Sequence, residues 1–198
     1  MNTIILAHAV ETGPESLWYP YLRAALDGRA EVRIPALPDP GAPDPEAWLT
    51  ALTAAGRDTD PGDTVLVGHS LGGVTLLRLL ERHDTDRHGP YAGAVLVATP
   101  YKEVGYEALN PFFAPRFDWA RIRRAARAFQ VLIAADDPVL TPDPFDHARH
   151  YVTELGATAT VRAAGGHFPI WSPDDIPTGL ALPEVTPLVT GLLPAASS

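Results

Sequence analysis

The sequence predicts an α/β protein, a parallel sheet with helices on both faces, and three observations predict it. Short apolar runs alternate along the chain with longer stretches of helical periodicity. One of those runs, Thr64-Val65-Leu66-Val67, passes directly into Gly68-His69-Ser70-Leu71-Gly72 and then into an apolar helical segment. The 198 residues, 46% hydrophobic and 20% charged, are enough for one full hydrophobic core and argue against disorder.

Each element follows from its residues. Thr3 to Ala7 reads as a strand, and Leu17, Tyr21, Leu22 and Ala25 mark a helix over about Leu17 to Leu26. Glu31 to Ile34 alternates as a second strand. Pro35 to Pro45 must be an extended surface connection, because prolines cannot donate backbone hydrogen bonds. Asp44-Pro45 then provides an N-cap and an N1 proline for a helix through Trp48, Leu49 and Leu52. Asp60 to Asp63 is a turn into the third strand, and Gly73 to Leu80 reads as a buried helix behind it. Strands follow at Ala92–Ala98, Phe129–Ala135 and Thr158–Ala163. Asp143-Pro144 opens a capped helix to about Leu155, and a last helix covers about Pro183 to Leu193. Residues 1–194 are expected to form a single domain, with 195–198 as a frayed tail.

Composition removes several function classes. A net charge of −9 without a basic stripe disfavours nucleic acid. The chain has no cysteine, which rules out disulfides and thiolate chemistry. No apolar stretch approaches the length of a membrane span, and the run at Ile4–Ala7 is too short and lacks the basic flank of a signal peptide, so a cytoplasmic protein is expected. Nothing in the sequence bears on oligomeric state.

A strand that ends in Gly-x-Ser-x-Gly and turns at once into a helix is a nucleophile elbow. It exposes the serine at the carboxyl edge of the sheet, where parallel sheets bind their ligands. A serine hydroxyl needs an adjacent base, itself oriented by a third group. In chain order these should be Ser, then Asp or Glu, then His, each after a strand. The sequence has Ser70, then Asp136-Asp137-Pro138 after the fifth strand, then Gly165-Gly166-His167 after the sixth. Only one aspartate can face His167. The proline that stiffens the turn favours Asp137, leaving Asp136 to cap the loop or meet solvent.

The other histidines fit less well. His69 should point away from the reacting face, and His83 and His88 lie about 20 Å away along the following helix. His147 and His150 are spaced i, i+3 without a third ligand nearby, so no metal site is expected. His8 ends the first strand and is expected to line the pocket or shape the oxyanion loop. The backbone N–H of Leu71 should supply one oxyanion donor, and that of Ala9 or Val10 the other. Thr99 to Phe117 and Phe168 to Leu182 are long and strandless. The aromatic content of the first predicts a flap over the substrate pocket, the alternative being a segment that only completes the core. Expected pocket residues are His8, Trp18, Tyr101, Phe112, Phe113, Phe168 and Trp171.

The chain resembles the small α/β-hydrolase-fold serine hydrolases of the retinoblastoma-binding serine hydrolase family, in particular its short bacterial members. The resemblance rests on Leu17-Trp18-Tyr19-Pro20-Tyr21-Leu22, Leu37-Pro38-Asp39-Pro40 with Trp48-Leu49, the elbow Gly68 to Gly72, Phe117-Asp118-Trp119, Asp136-Asp137-Pro138 and Gly165-Gly166-His167-Phe168. It covers nearly the whole chain. It implies a minimal α/β-hydrolase fold, six parallel strands in the order 2-1-3-4-5-6, and a triad of Ser70, Asp137 and His167. Where many relatives have His-Gly after the first strand, this chain has His8-Ala9. The reading is a hydrolase of a small ester, thioester or amide acting through an acyl-enzyme, with no metal and no cofactor. Two alternatives keep the fold: acyl transfer, lyase or cyclisation chemistry on the same residues, and a binding module with a vestigial triad.

Overall fold

Successive residues of a strand face opposite sides of a sheet, and the first strand shows what this arranges. Ile5 and Ala7 of β1 (Thr3–Ala7) pack in one hydrophobic cluster, while Ile4 and Leu6 pack in a second on the other face. Both sides are buried, so the strand is apolar from Ile4 to Ala7 rather than alternating. The structure, a computed structural model, describes residues 2–195. Of the expected tail, 196–198 lie outside the described residues.

Five further strands join β1: β2 (Glu31–Arg33), β3 (Thr64–His69), β4 (Gly93–Val97), β5 (Phe129–Ala134) and β6 (Thr158–Arg162). They form one sheet in the order β2-β1-β3-β4-β5-β6, parallel at every pairing. The order implied by the family resemblance is the one observed. It reverses direction beside β1 and β3, where the register sets Ala7 opposite Gly68.

Helices cover both faces. On one lie α2 (Pro45–Ala55), α3 (Leu71–Arg82), α5 (Trp119–Ala125) and α6 (Pro144–Leu155), which bury Trp48, Leu76, Ile122 and Tyr151 respectively. On the other lie α1 (Tyr19–Ala25) and α7 (Val185–Thr190), which bury Leu22 and Val189. A single turn of helix, α4 (Thr85–His88), follows α3. Asp44 caps α2 by accepting from Ala47 N, and Asp143 caps α6 by accepting from Phe145 N, as the Asp-Pro pairs predict. Among the described residues, no helix is long and apolar enough to cross a membrane.

The structure corrects the sequence reading at three helices. Helix α3 ends at Arg82, so His83 is its C-cap and His88 lies in α4, which Asp84 caps by accepting from Arg87 N, rather than along α3. The last helix is shorter than Pro183–Leu193, because Gly191 ends it and Leu192 and Leu193 form a turn behind it. Helix α5 was not expected: only Ile122 and Ala125 of its seven residues are buried, and three arginines mask the pattern. Its Asp118 cap, which accepts from Arg121 N, was the available signal.

Candidate active site

Ser70 sits between β3 and α3 at φ 52°, ψ −123°, a conformation strained for any residue but glycine. The two glycines of the elbow permit it for different reasons. A Cβ on Gly68 would lie 2.4 Å from Gly73 Cα, so here strand and helix approach too closely for a side chain. A Cβ on Gly72 would lie 2.2 Å from the carbonyl oxygen of Ala7, so here the helix meets the end of β1 instead. Ser70 N donates to Val97 O at 2.9 Å, tying the turn to β4.

The two other expected residues converge on this serine. His167 Nε2 is 2.7 Å from Ser70 Oγ, and His167 Nδ1 is 2.8 Å from Asp137 Oδ2. A carboxylate only accepts, so the imidazole proton sits on Nδ1 and Nε2 is free to accept from the serine. Asp137 Oδ1 accepts from Val139 N at 2.9 Å and Leu140 N at 3.4 Å, which fixes the carboxylate. All three side chains are nearly closed off from solvent: Ser70 is 7%, Asp137 4% and His167 3% exposed. Asp136 caps the histidine loop, its Oδ1 accepting from Gly166 N at 2.8 Å.

The N–H groups of Ala9 and Val10, the two expected candidates for the second oxyanion donor, differ in what they already bind. Ala9 N donates to the Tyr19 hydroxyl at 3.0 Å, so this N–H is already used. Val10 N has no partner among the described residues, and Val10 borders the same cavity as Ser70 and Leu71. Leu71 N opens α3 and has no intrahelical acceptor.

That cavity, about 660 Å³, is the space in front of Ser70. One wall is Val10 and Glu11 with Gly41, Ala42 and Pro43. The facing wall comes from residues 100–113, chiefly Val104, Tyr106, Leu109 and Phe113, and Pro138, Val139, Ile170 and Trp171 complete it. Of the expected pocket residues, Phe113 and Trp171 border this cavity. Five expected pocket residues do not. His8 is buried, with Nε2 accepting from Leu37 N at 3.0 Å and Nδ1 donating to Ala9 O at 2.9 Å, and burial pushes its pKa down. It fastens the end of β1 to the proline-rich connection. Trp18 is buried beside His69, ring centroids 5.6 Å apart. Tyr101 stacks on His150 at 3.8 Å, outside the cavity. Phe112 packs edge-on against Trp48 in the core, and Phe168 is buried in the cluster beneath α1 and α7. Large aromatic area favours burial, and an irregular segment has no period to say which ring turns inward.

Four wall elements were missed: the proline-rich connection, Glu11, the acid turn and Ile170. The connection follows the carboxyl end of a strand, and that position was its one signal. The wall at residues 100–113 is held by a buried arginine. Arg78 of α3 donates through Nε to Phe112 O at 3.2 Å and through Nη2 to Pro115 O, and its guanidinium lies 3.7 Å from the Phe117 ring centroid. A 3-10 turn over Glu107–Phe113 shapes this wall. His147 has both ring nitrogens engaged by backbone, Tyr101 N and Thr141 O.

A second set of buried bonds lies beneath the serine. His69 Nε2 is 2.8 Å from the backbone oxygen of His167, so it carries the proton and donates. Its Nδ1 then accepts from the Tyr19 hydroxyl at 2.8 Å. Burial, reinforced by the neighbouring His167, pushes the His69 pKa down to about 3, and the ring is neutral.

Known proteins resemble this chain in sequence and in fold. Residues 4–174 match the serine hydrolase family. The chain is 28% identical over 168 residues to YdeN of Bacillus subtilis (strain 168), covering 83% of this chain and 85% of that protein. The crystal structure of YdeN superimposes with a TM-score of 0.80 at 25% identity, over 97% of this chain and 98% of that one. A shorter stretch of 87 residues is 40% identical to the pimeloyl-[acyl-carrier protein] methyl ester esterase of Aromatoleum aromaticum, covering 40% of this chain and 32% of that protein. Est1E of Butyrivibrio proteoclasticus, solved with ferulic acid bound, shares the fold: TM-score 0.69, 10% identity, 96% of this chain and 87% of that one. With a family match that runs from the first strand past the histidine loop, the chain belongs to the serine hydrolase family.

Proposed function

We propose that the protein hydrolyses a small, free carboxylic ester through an acyl-enzyme on Ser70, with His167 as base and acid and Asp137 as its orienting partner. Thioesters and amides are the neighbouring classes the same residues could cleave. The observation that carries the reading is the unbroken line of hydrogen bonds from Ser70 Oγ through His167 to Asp137, opening on one apolar cavity.

His167 Nε2 takes the hydroxyl proton as Ser70 Oγ bonds to the carbonyl carbon, and the carbonyl electron pair moves onto oxygen. The oxyanion is received by Val10 N–H and Leu71 N–H. Collapse breaks the bond to the alcohol, which leaves with the proton from His167. Water then repeats the sequence on the acyl-serine, releasing the acid and restoring Ser70. Asp137 stays ionised and stabilises the imidazolium.

The substrate class rests on the cavity lining. The Aromatoleum relative is named for a substrate borne by an acyl carrier protein. Among the described residues no lysine or arginine lines the cavity here, which supports a free ester over one presented by an anionic carrier. The resemblance to short bacterial members of the retinoblastoma-binding branch is consistent with such a minimal enzyme.

The test is labelling with a fluorophosphonate and turnover of p-nitrophenyl esters. Labelling should map to Ser70, and Ser70→Ala should lose both labelling and hydrolysis while staying folded. Undiminished turnover in that variant would exclude the acyl-enzyme. Labelling without ester hydrolysis would favour acyl transfer, and absence of both a binding role.

A further inference from the structure

Among the described residues that line the cavity, Glu11 is the only carboxylate, and none is a lysine or arginine. It follows directly after Val10, whose N–H is the proposed oxyanion donor, and its own backbone is held at φ 64° with N donating to Pro40 O at 2.7 Å. That is a left-handed conformation that asparagine or glycine would adopt more easily. Among the described residues no salt bridge engages its carboxylate. A free carboxylate next to an oxyanion site works against the charge that develops there unless the substrate brings a compensating charge. We propose that Glu11 sets the charge class of the substrate: the enzyme takes apolar esters that carry a cationic group or none, and rejects anionic ones. This rests on the hydrolase reading above.

The test uses esters matched in shape. Choline butyrate, its uncharged carbon isostere dimethylbutyl butyrate, and the butyrate ester of hydroxypropionate place a positive, zero or negative charge on the alcohol arm. A second trio of methyl esters carries the same three charges at the end of the acyl arm. At low ionic strength, wild-type kcat/KM should fall from cationic to neutral to anionic in at least one trio. Each step should be about two- to fivefold, the range of a partly exposed ion pair. The order should flatten in Glu11→Gln and weaken in salt. Equal values across both trios in wild type, or an order that survives Glu11→Gln, would overturn the proposal while leaving the hydrolase reading in place. Absence of turnover together with absence of fluorophosphonate labelling would sink both.

A separate observation carries a second inference. Ala9 N–H donates to Tyr19 Oη, Tyr19 O–H donates to His69 Nδ1, and His69 Nε2–H donates to His167 O. Every donor and acceptor in this line is assigned, and the line runs from the oxyanion loop to the loop of the base. We infer that Tyr19 and His69 are positioning residues that hold those two loops at a fixed distance across Ser70. Tyr19→Phe keeps the packing and removes the hydroxyl. It should lower kcat by up to about 100-fold, the cost of a small misplacement at the reacting centre, with KM nearly unchanged. His69→Gln, whose amide can still donate to the His167 carbonyl, should retain more kcat than His69→Leu when both are assayed well below their melting temperatures. A kcat in Tyr19→Phe within twofold of wild type, or equal losses in the two His69 variants, would reduce the line to a packing feature.

Discussion

Replacing Asp137 by asparagine changes one atom, and the structure says which way the new amide must face. Asp137 Oδ1 accepts from Val139 N and Leu140 N, so the amide oxygen has to stay on that side, since an NH₂ there would oppose two donors. The NH₂ then takes the place of Oδ2, 2.8 Å from His167 Nδ1. Two donors cannot share that contact. The imidazole shifts its proton to Nε2 and offers a donor to Ser70 Oγ in place of an acceptor. The fold is undisturbed but the base is gone, and kcat should fall about 10⁴-fold, as when a triad is left in the wrong tautomer. Asp136→Asn is the control: its Oδ1 can still accept from Gly166 N, and the loss should stay within about tenfold. The assay is steady-state hydrolysis of one p-nitrophenyl ester by both variants, with circular dichroism to verify folding. A larger loss in Asp136→Asn than in Asp137→Asn would reverse the acid assignment and refute the reasoning.

Gly72→Ala should destabilise the protein by about 3 kcal/mol in urea denaturation, because its Cβ would overlap the backbone oxygens of Ala7 and His8; a loss under 1 kcal/mol would show that β1 can yield. Arg78→Met should cost about 3 kcal/mol by leaving Glu81 unpaired and two carbonyls without a donor, and should raise KM for longer acyl esters more than it lowers kcat. Equal KM for short and long esters would break the link to the wall. Stability should also decline in acid before the carboxylates titrate. His69 ionises at about 3 when folded and near its ordinary 6.5 when unfolded. Between those values the unfolded chain binds the extra proton, so its contribution is full above pH 6.5 and falls by up to about 1.4 kcal/mol per pH unit below it. Burial lowers His8, His147 and His150 in the same direction. A denaturation midpoint unchanged between pH 7 and 5 would contradict this.

The sheet, and the positions of Ser70, Asp137 and His167 after their strands, were legible because each is signalled by local chemistry. A strand buried on both faces is a run of apolar residues, and Asp-Pro marks a helix start; Thr3–Ala7 and Pro144–Leu155 agree with the expectations to within a residue. The elbow is a steric motif, so its glycines appear in the sequence itself. The pocket was not legible. Phe112 and Phe113 are adjacent and alike in composition, yet one packs on Trp48 and the other faces the cavity. What separates them is the path of an irregular segment, which is decided by distant contacts such as Arg78 to Phe112 O. Val10 rather than Ala9 as the free N–H depended on a tyrosine ten residues away.

The Arg78 contacts also bear on how such an enzyme can change over evolutionary time. The arginine grips Phe112 and Pro115 through backbone carbonyls, which any side chain at those positions would still present. Residues 104–109 lie ahead of that grip, largely exposed and at the cavity's outer edge, with Tyr106 54% exposed. Substitutions there can reshape this wall of the pocket without loosening its attachment to the helix that follows Ser70. A lineage could therefore drift from one substrate to another through a handful of neutral steps, and a directed-evolution library confined to 104–109 should give altered selectivity with few unfolded members.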